Sequence, residues 1–351
     1  MDRMEKMSAL LKEMAENLGA TAVGIATNQT LAGGPPSTDL TYALPGARSA
    51  VSFALPLNHD HIESFLRKED PQAHNLDNIR TNTLASGIAL DLATYLRMKG
   101  YASVPIAANL FYRREAPRGP AEEKPDISHR YLAVRSGVGY FGLSGNVIRP
   151  KEGAAIILGS VVTEAELIPT EPLPPAENYC DGCRLCMASC ASGLMSPSED
   201  VTVTLGGVSF SYSKRRSYNR CDYVCGGFTG LDRSGKWSTW SPARFPIPEK
   251  DEDFLPALRV SAQAYRRRPK LGTMFFHGLM PGSRIQFTCG NCQLVCHPDK
   301  TVRQRRHKML VESGVVVQDP DGVVRAVSPE AAKKHLAAMP AEMRALYEKV
   351  D

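Results

Sequence analysis

The chain has no membrane span: nowhere does it approach the roughly 20 unbroken apolar residues that one needs. Its opening stretch, "MDRMEKMSALLKEMAENLG", carries acids and has neither a long apolar core nor a twin-arginine pair, which argues against export. Aromatics are sparse at 7%, with only two tryptophans. Charge of one sign is lacking too. A net +5 over 351 residues points weakly to an acidic partner and does not single out nucleic acid. Repeats and low-complexity tracts are absent. These absences leave an ordinary globular protein, expected in the cytoplasm. What the chain does have is nine cysteines. In a reducing compartment, thiols in that number argue for metal rather than disulfides.

The opening stretch reads as an amphipathic helix with Leu10, Leu11, Met14 and Leu18 on one side. "TAVGIA" (Thr21–Ala26) and "SAVSFALPL" (Ser49–Leu57) read as strands, Leu76–Lys99 as a helix and "YASVPIA" (Tyr101–Ala107) as a further strand. Arg130–Leu167 reads as a helix, a glycine-rich turn and a buried hairpin. The proline-rich "IPTEPLPPAEN" marks a boundary. Past it, "VTVTLGGVSFSYS" (Val201–Ser213) is a hairpin turning at Gly206-Gly207. Two helical stretches then lead to a second cysteine group, followed by a hairpin at "DPDG" and a last helix from Ser328-Pro329. The expected class is α+β. Residues 1–175 form an N-terminal α/β domain, 176–300 a cysteine-bearing domain, and 301–351 a C-terminal hairpin and helix.

In "YCDGCRLCMASCA", Cys180, Cys183, Cys186 and Cys190 are spaced C-x2-C-x2-C-x3-C. This is the bacterial ferredoxin run, in which three thiolates bind one [4Fe–4S] cube and the fourth reaches a neighbouring cube. Such a run requires a partial partner, and Cys289, Cys292 and Cys296 supply it as C-x2-C-x3-C. The first cluster takes Cys180, Cys183, Cys186 and Cys296. The second takes Cys190, Cys289, Cys292 and one of Cys221 and Cys225, the only cysteines left. Zinc also suits C-x2-C pairs, but not this crossing pattern. A c-type haem needs C-x2-C-H, which "CQLVCH" does not provide. Ala191 stands where the ferredoxin run has proline, a change to the turn more than to the ligands.

Across roughly residues 10–300 the chain resembles the epoxyqueuosine reductases and, more distantly, the reductive dehalogenases. "LGATAVGIA", "LAVRSGVGYFGLSGNVIRPKEGAAIILGSVVTEAEL", "CDGCRLCMASC", "NRCDYVC" and "FTCGNCQLVCHP" carry the likeness in order. The resemblance implies a nitroreductase-like, corrinoid-binding N-terminal domain and a ferredoxin-like domain with two [4Fe–4S] clusters. It favours Cys221 over Cys225 as the eighth ligand. It also implies a base-off cobalamin, with Gly137, Gly139 and Gly142 allowing close approach of a flat ring and Ser144, Gly145 and Asn146 offering polar contacts. The bland alternative is that these glycines shape a helix-to-strand turn.

Where epoxyqueuosine reductases carry D-T-G-P-x-L-E-R, with an acid as proposed proton donor, this chain has "PDISHR". Asp126, His129, Arg130 and Tyr131 are therefore the catalytic candidates. Histidine titrates near neutrality and arginine holds anions, although His129 equally suits a helix start capped by Ser128. The departure, with no helical repeat after residue 300, moves the expected substrate from tRNA to a small molecule. Trp237 and Trp240 either line a pocket or pin their loop to the core. Basic clusters at Lys214–Arg216, Arg266–Arg268 with Lys270, and Arg303–Lys308 suit phosphates, an acidic ferredoxin or flavodoxin donor, or solvated helix faces. The rival from another class is a dicluster electron-transfer protein that binds no cobalamin itself.

Overall fold

The structure is a computed structural model and describes residues 2–107, 113–115, 124–269 and 286–349. Two compact units emerge. The first comprises residues 1–57, 78–183 and 198–214, and the second residues 58–77, 184–197 and 215–351. Two segments thus stand outside a simple division near residue 176: 58–77 goes with the later unit, and 198–214 with the earlier.

The first unit is built on a sheet of β1 (Ala22–Thr27), β2 (Ser49–Pro56), β3 (Ser103–Ile106) and β6 (Ile156–Thr163), in the order β1-β2-β6-β3. Every pairing is antiparallel, so this is mixed helix and sheet but not the parallel sheet that an α/β label suggests. Two further strands, β4 (Tyr140–Phe141) and β5 (Val147–Ile148), form a small hairpin. The expected buried hairpin within Arg130–Leu167 is therefore this short pair, followed by the single strand β6.

Alternation along the strands sends Ile25, Val51, Phe53, Leu55 and Val161 to one face. There they meet Met7, Leu11 and Ala15 of the helix Arg3–Asn17 and Ile88, Leu92 and Leu96 of the helix Gln72–Met98. Leu10 and Leu18, expected on the buried side, are instead more than a third exposed. Of the expected face, Leu11 is buried and Met14 packs on the core, and the buried stripe is centred on Met7, Leu11 and Ala15 at a spacing of four, rotated a little from the expected one. Residues of opposite parity, Ala26, Ala50, Ala54 and Val162, face the helix His129–Arg135 and its neighbours. Both faces are covered, so β2 is buried along almost its whole length.

Two glycines make these layers fit. Gly159 pairs with Phe53, whose ring lies 2.2 Å from where a Cβ would stand. Gly24 has the Ser136 carbonyl oxygen at 2.0 Å from its missing Cβ. The hairpin of β7 (Met195–Leu205) and β8 (Val208–Arg215) turns at Gly206 and Gly207 with φ of 55° and 82°. That is the left-handed pair a two-residue turn between twisted strands requires.

In the second unit, Tyr223, Phe228, Ala243, Phe245 and Phe254 form one core. The strands β9 (Val315–Gln318) and β10 (Val324–Val327) pack on the helix Pro329–Ala337, whose cap is Ser328. The second of the two helical stretches expected before Cys289 lies outside the described residues, as does Lys270. No described helix is long and apolar enough to cross a membrane.

Candidate functional site

In the second unit four thiols from distant parts of the chain come together. The short helix Leu185–Ala188, just before Cys190, packs on Asn291–Leu294, which contains Cys292. The helix Asn219–Cys225 is joined to the other end of the same segment. Thr288 donates its N–H to the Cys225 carbonyl at 2.8 Å and its hydroxyl to Val224 O at 3.0 Å, which sets Cys221 near Cys289. The thiols consequently feel one another. Burial, then Cys190, Cys221 and Cys289, push the Cys292 thiol well up. Burial pushes Cys289 up to about 12, with Cys221 and Cys190 adding to it. Cys221 is raised well above the usual thiol range, first by its hydrogen bond with Cys225 and then by burial. The charges of Cys190 and Cys221 act on both Cys289 and Cys292.

The surroundings fit a cluster. Backbone N–H groups of Asn291 and Gly290 face the Cys289 sulfur and oppose the rise of its pKa. Leu194 N–H donates to Cys190 Sγ at 3.4 Å, and Ser192 Oγ lies 3.3 Å from it. Amide-to-sulfur hydrogen bonds of this kind tune iron–sulfur potentials. Asn291, 2% exposed, has its Nδ2 donor buried without a partner among the described residues, an orphan that a sulfide or thiolate would satisfy. Arg215 adds a cation. Burial opposes its charge, but Tyr218 and then Cys292 and Cys221 outweigh this and raise its pKa. No described His, Cys, Asp or Glu side chains gather tightly enough to hold one metal ion. A cube spreads its thiolates over four irons, so loose grouping is what a cluster asks for.

Of the first expected cluster, Cys180 and Cys183 belong to the first unit and Cys186 and Cys296 to the second. Cys180 Sγ accepts a hydrogen bond from Leu143 N–H at 3.3 Å, so the glycine-rich segment 137–146 reaches this thiol. The segment's glycines face their own chain. A Cβ on Gly139 would stand 2.6 Å from Val147, one on Gly142 3.1 Å from Ile148, and one on Gly137 2.4 Å from the Glu171 carbonyl. Gly145 donates to Gly142 O and accepts from Arg130 Nη1 at 2.8 Å, while Ser144 Oγ accepts from Asn146 N–H. Turn-shaping accounts for these residues without a ligand, so the geometry of 137–146 is not in itself a corrin cradle.

The catalytic candidates separate. His129 is 3% exposed, and both its nitrogens are engaged. Nε2 donates to Ala107 O at 3.1 Å, so Nδ1 accepts from Ser160 Oγ at 2.8 Å. Burial lowers its pKa. With both nitrogens engaged inside the chain, the geometry favours the structural reading of His129, a histidine at a helix start, over the catalytic one. Tyr131 bonds Tyr212 through their hydroxyls at 2.7 Å in the core. Arg130 stands among the rings of Tyr131, Phe141 and Tyr212, each 5.7–5.8 Å from its guanidinium carbon.

Asp126 borders a cavity of about 270 Å³, shared with Tyr42 and the edge strand β3. Burial holds its carboxyl above the usual range. Arg113 pulls the other way, and Glu115 adds to the rise. Trp237 and Trp240 are core residues. Trp240 donates Nε1–H to Phe65 O at 3.1 Å, which settles its role as loop anchor. Much of the basic clusters is likewise structural. Arg303 and Arg306 are buried and hold the carbonyls of His297, Pro298 and Leu294, and Arg268 holds that of Gly227.

No family model matches the chain. Among curated proteins it is similar to the epoxyqueuosine reductase of Gloeobacter violaceus, 27% identical over 191 residues, which are 54% of each chain. That of Bacillus cereus is 26% identical over 173 residues, 45% of this chain and 41% of that one. The one from Atelocyanobacterium thalassa is 30% identical over 143 residues, 39% and 43% of the two chains. The chain resembles the epoxyqueuosine reductases. The matches span about half the length of these relatives, and less of this chain than the ordered motifs suggest. Two solved structures are similar at lower levels. A catabolic reductive dehalogenase is 16% identical with a TM-score of 0.47, over 64% of this chain and 30% of that one. The Bacillus subtilis epoxyqueuosine reductase is 17% identical with a TM-score of 0.44, over 96% and 74%. Structural likeness at this level carries no argument.

Proposed function

We propose that the protein is an iron–sulfur reductase. On this reading it passes electrons one at a time through two [4Fe–4S] clusters to a small-molecule substrate. One cluster would sit on Cys180, Cys183, Cys186 and Cys296, the other on Cys190, Cys221, Cys289 and Cys292. The observation that carries the reading is the gathering of Cys190, Cys221, Cys289 and Cys292, drawn from three separate segments of the second unit. Resemblance to the epoxyqueuosine reductases adds the reductive direction. The sequence resemblance also implies a cobalamin, which when bound would supply a strongly reducing cobalt. The electron donor would be a ferredoxin or flavodoxin. Of this chain's residues, Asp126 is the one to hold and deliver a proton, because its carboxyl borders open space and keeps its proton to higher pH than usual. Arg130, with Gly145 O and three rings about it, would orient an anionic group.

The test is anaerobic reconstitution with iron and sulfide, followed by titration with hydroxocobalamin. A stoichiometric base-off spectrum supports the reductase. Clusters without retained corrinoid would instead indicate an electron carrier that reduces a partner. A second reading, reduction of epoxyqueuosine in tRNA, is favoured by the names of the curated relatives. Binding and turnover of an epoxyqueuosine-bearing stem-loop at moderate salt would establish it, and failure to bind would remove it.

A further inference from the structure

The second unit holds a buried cation that its neighbours do not balance. Lys68 is 8% exposed, and its ammonium donates to Ser313 Oγ at 2.8 Å. Ser313 caps the helix Lys300–Glu312, and its Oγ–H donates to Leu310 O at 2.7 Å. Among the described residues no carboxylate forms an ion pair with Lys68. One hydroxyl and the partial negative charge of a helix end, about half an elementary charge, do not offset a whole ammonium taken out of water.

The backbone is also specialised. Lys68 has a φ of 61°, and Arg184 in the first cysteine run is the only other described non-glycine residue in the left-handed region. The position follows the helix Ile62–Leu66, where glycine is the usual occupant. A lysine kept there against backbone preference marks a side chain with a task. The helix Ile62–Leu66 that leads into Lys68 packs on Asn291–Leu294, which begins two residues after Cys289, and the charge of Cys289 opposes the desolvation that lowers the lysine's pKa to about 7.

We propose that Lys68 is the counter-charge of the cluster on Cys190, Cys221, Cys289 and Cys292, and that it sets how readily that cluster accepts an electron. The inference rests on the cluster reading above. A cube ligated by four thiolates is anionic and gains one more negative charge on reduction. A fixed cation inside the same low-dielectric wall favours the reduced form. Lys68 is therefore a positioning residue for charge, and it touches no substrate.

The test is an EPR-monitored redox titration of reconstituted protein carrying Lys68→Met or Lys68→Arg. Lys68→Met should make one-electron reduction of one cluster about tenfold less favourable, a fall of about 59 mV. Lys68→Arg should stay near wild type, and the other cluster should not move. If Lys68→Met loses half the iron while its apo-protein unfolds like the wild type, the counter-charge is needed to hold the cluster, and the proposal stands. An unchanged potential in iron-replete Lys68→Met overturns it, as does an equal fall in Lys68→Arg. So does an apo-protein of Lys68→Met that no longer folds, which would make Lys68 structural. Wild-type protein that binds no iron would defeat the cluster reading, and this inference with it.

Discussion

His129 in the first unit and His74 in the second are both almost fully buried, at 3% and 1% exposed. They are treated differently. His129 has Ser160 and Ala107 on its two nitrogens, whereas neither nitrogen of His74 has a partner among the described residues. The contrast extends to the surroundings. Around the central sheet, Ser103, Thr163 and Ser136 all find hydrogen bonds within the chain. In the second unit Asn75, Asn291 and the ammonium of Lys68 lie buried and under-satisfied, and the same unit holds thiols raised in pKa by burial and by each other. A buried polar group without a partner costs free energy. Orphans are not confined to the second unit, since Ser52 Oγ on β2 and the Arg135 guanidinium also lie buried without a hydrogen-bond partner among the described residues. In the second unit, however, they accompany thiols raised in pKa by burial and by one another.

Substitutions can break that comparison in order of effect. In the first unit Gly159→Leu drives a side chain into the Phe53 ring, and Gly24→Ala drives a methyl into the Ser136 carbonyl. Each should cost about 3 kcal/mol, read as a lower urea midpoint. His129→Leu should cost about 2 kcal/mol, because Ser160 Oγ and Ala107 O lose their partner. His74→Leu should cost nothing measurable at pH 7. If the two histidines behaved alike, the contrast between units would fail.

Acid should expose His74 in another way. Burial lowers its pKa to about 4, against about 6.5 in the unfolded chain. The folded state binds fewer protons, so its contribution is complete above pH 6.5 and is lost as pH falls towards 4. The loss is about 3 kcal/mol, and urea unfolding of His74→Leu at pH 7 and pH 5 should show a smaller decline than the wild type. Trp240→Phe gives up the bond to Phe65 O and part of the buried ring volume, and should cost about 2 kcal/mol.

Much of this was legible in the sequence, where local pattern dominates. Apolar runs predicted β1 and β2, paired glycines predicted the β7–β8 turn, and Ser328-Pro329 predicted the last helix start. Cysteine spacing and counting proposed the ligands with Cys221 and Cys225 as alternatives, and the resemblance favoured Cys221. The structure brings Cys190, Cys221, Cys289 and Cys292 within electrostatic reach of one another. Legibility ended where long-range packing decides. "RKEDP" reads as a charged loop, and nothing in it says that Lys68 is buried in a left-handed turn. His129, next to arginine and ahead of a glycine turn, looked catalytic because Ser160 and Ala107 are distant in sequence. The antiparallel pairing of the sheet was hidden for the same reason. Only its consequence, strands apolar on both faces, could be read.

The central claim is that the second unit holds a cluster on Cys190, Cys221, Cys289 and Cys292. Its most direct measurement is iron and acid-labile sulfide in reconstituted wild type, Cys221→Ala and Cys225→Ala. About eight irons per wild-type chain, about four in Cys221→Ala and about eight in Cys225→Ala is the result expected. Equal iron in Cys221→Ala and wild type, or a loss confined to Cys225→Ala, would contradict it.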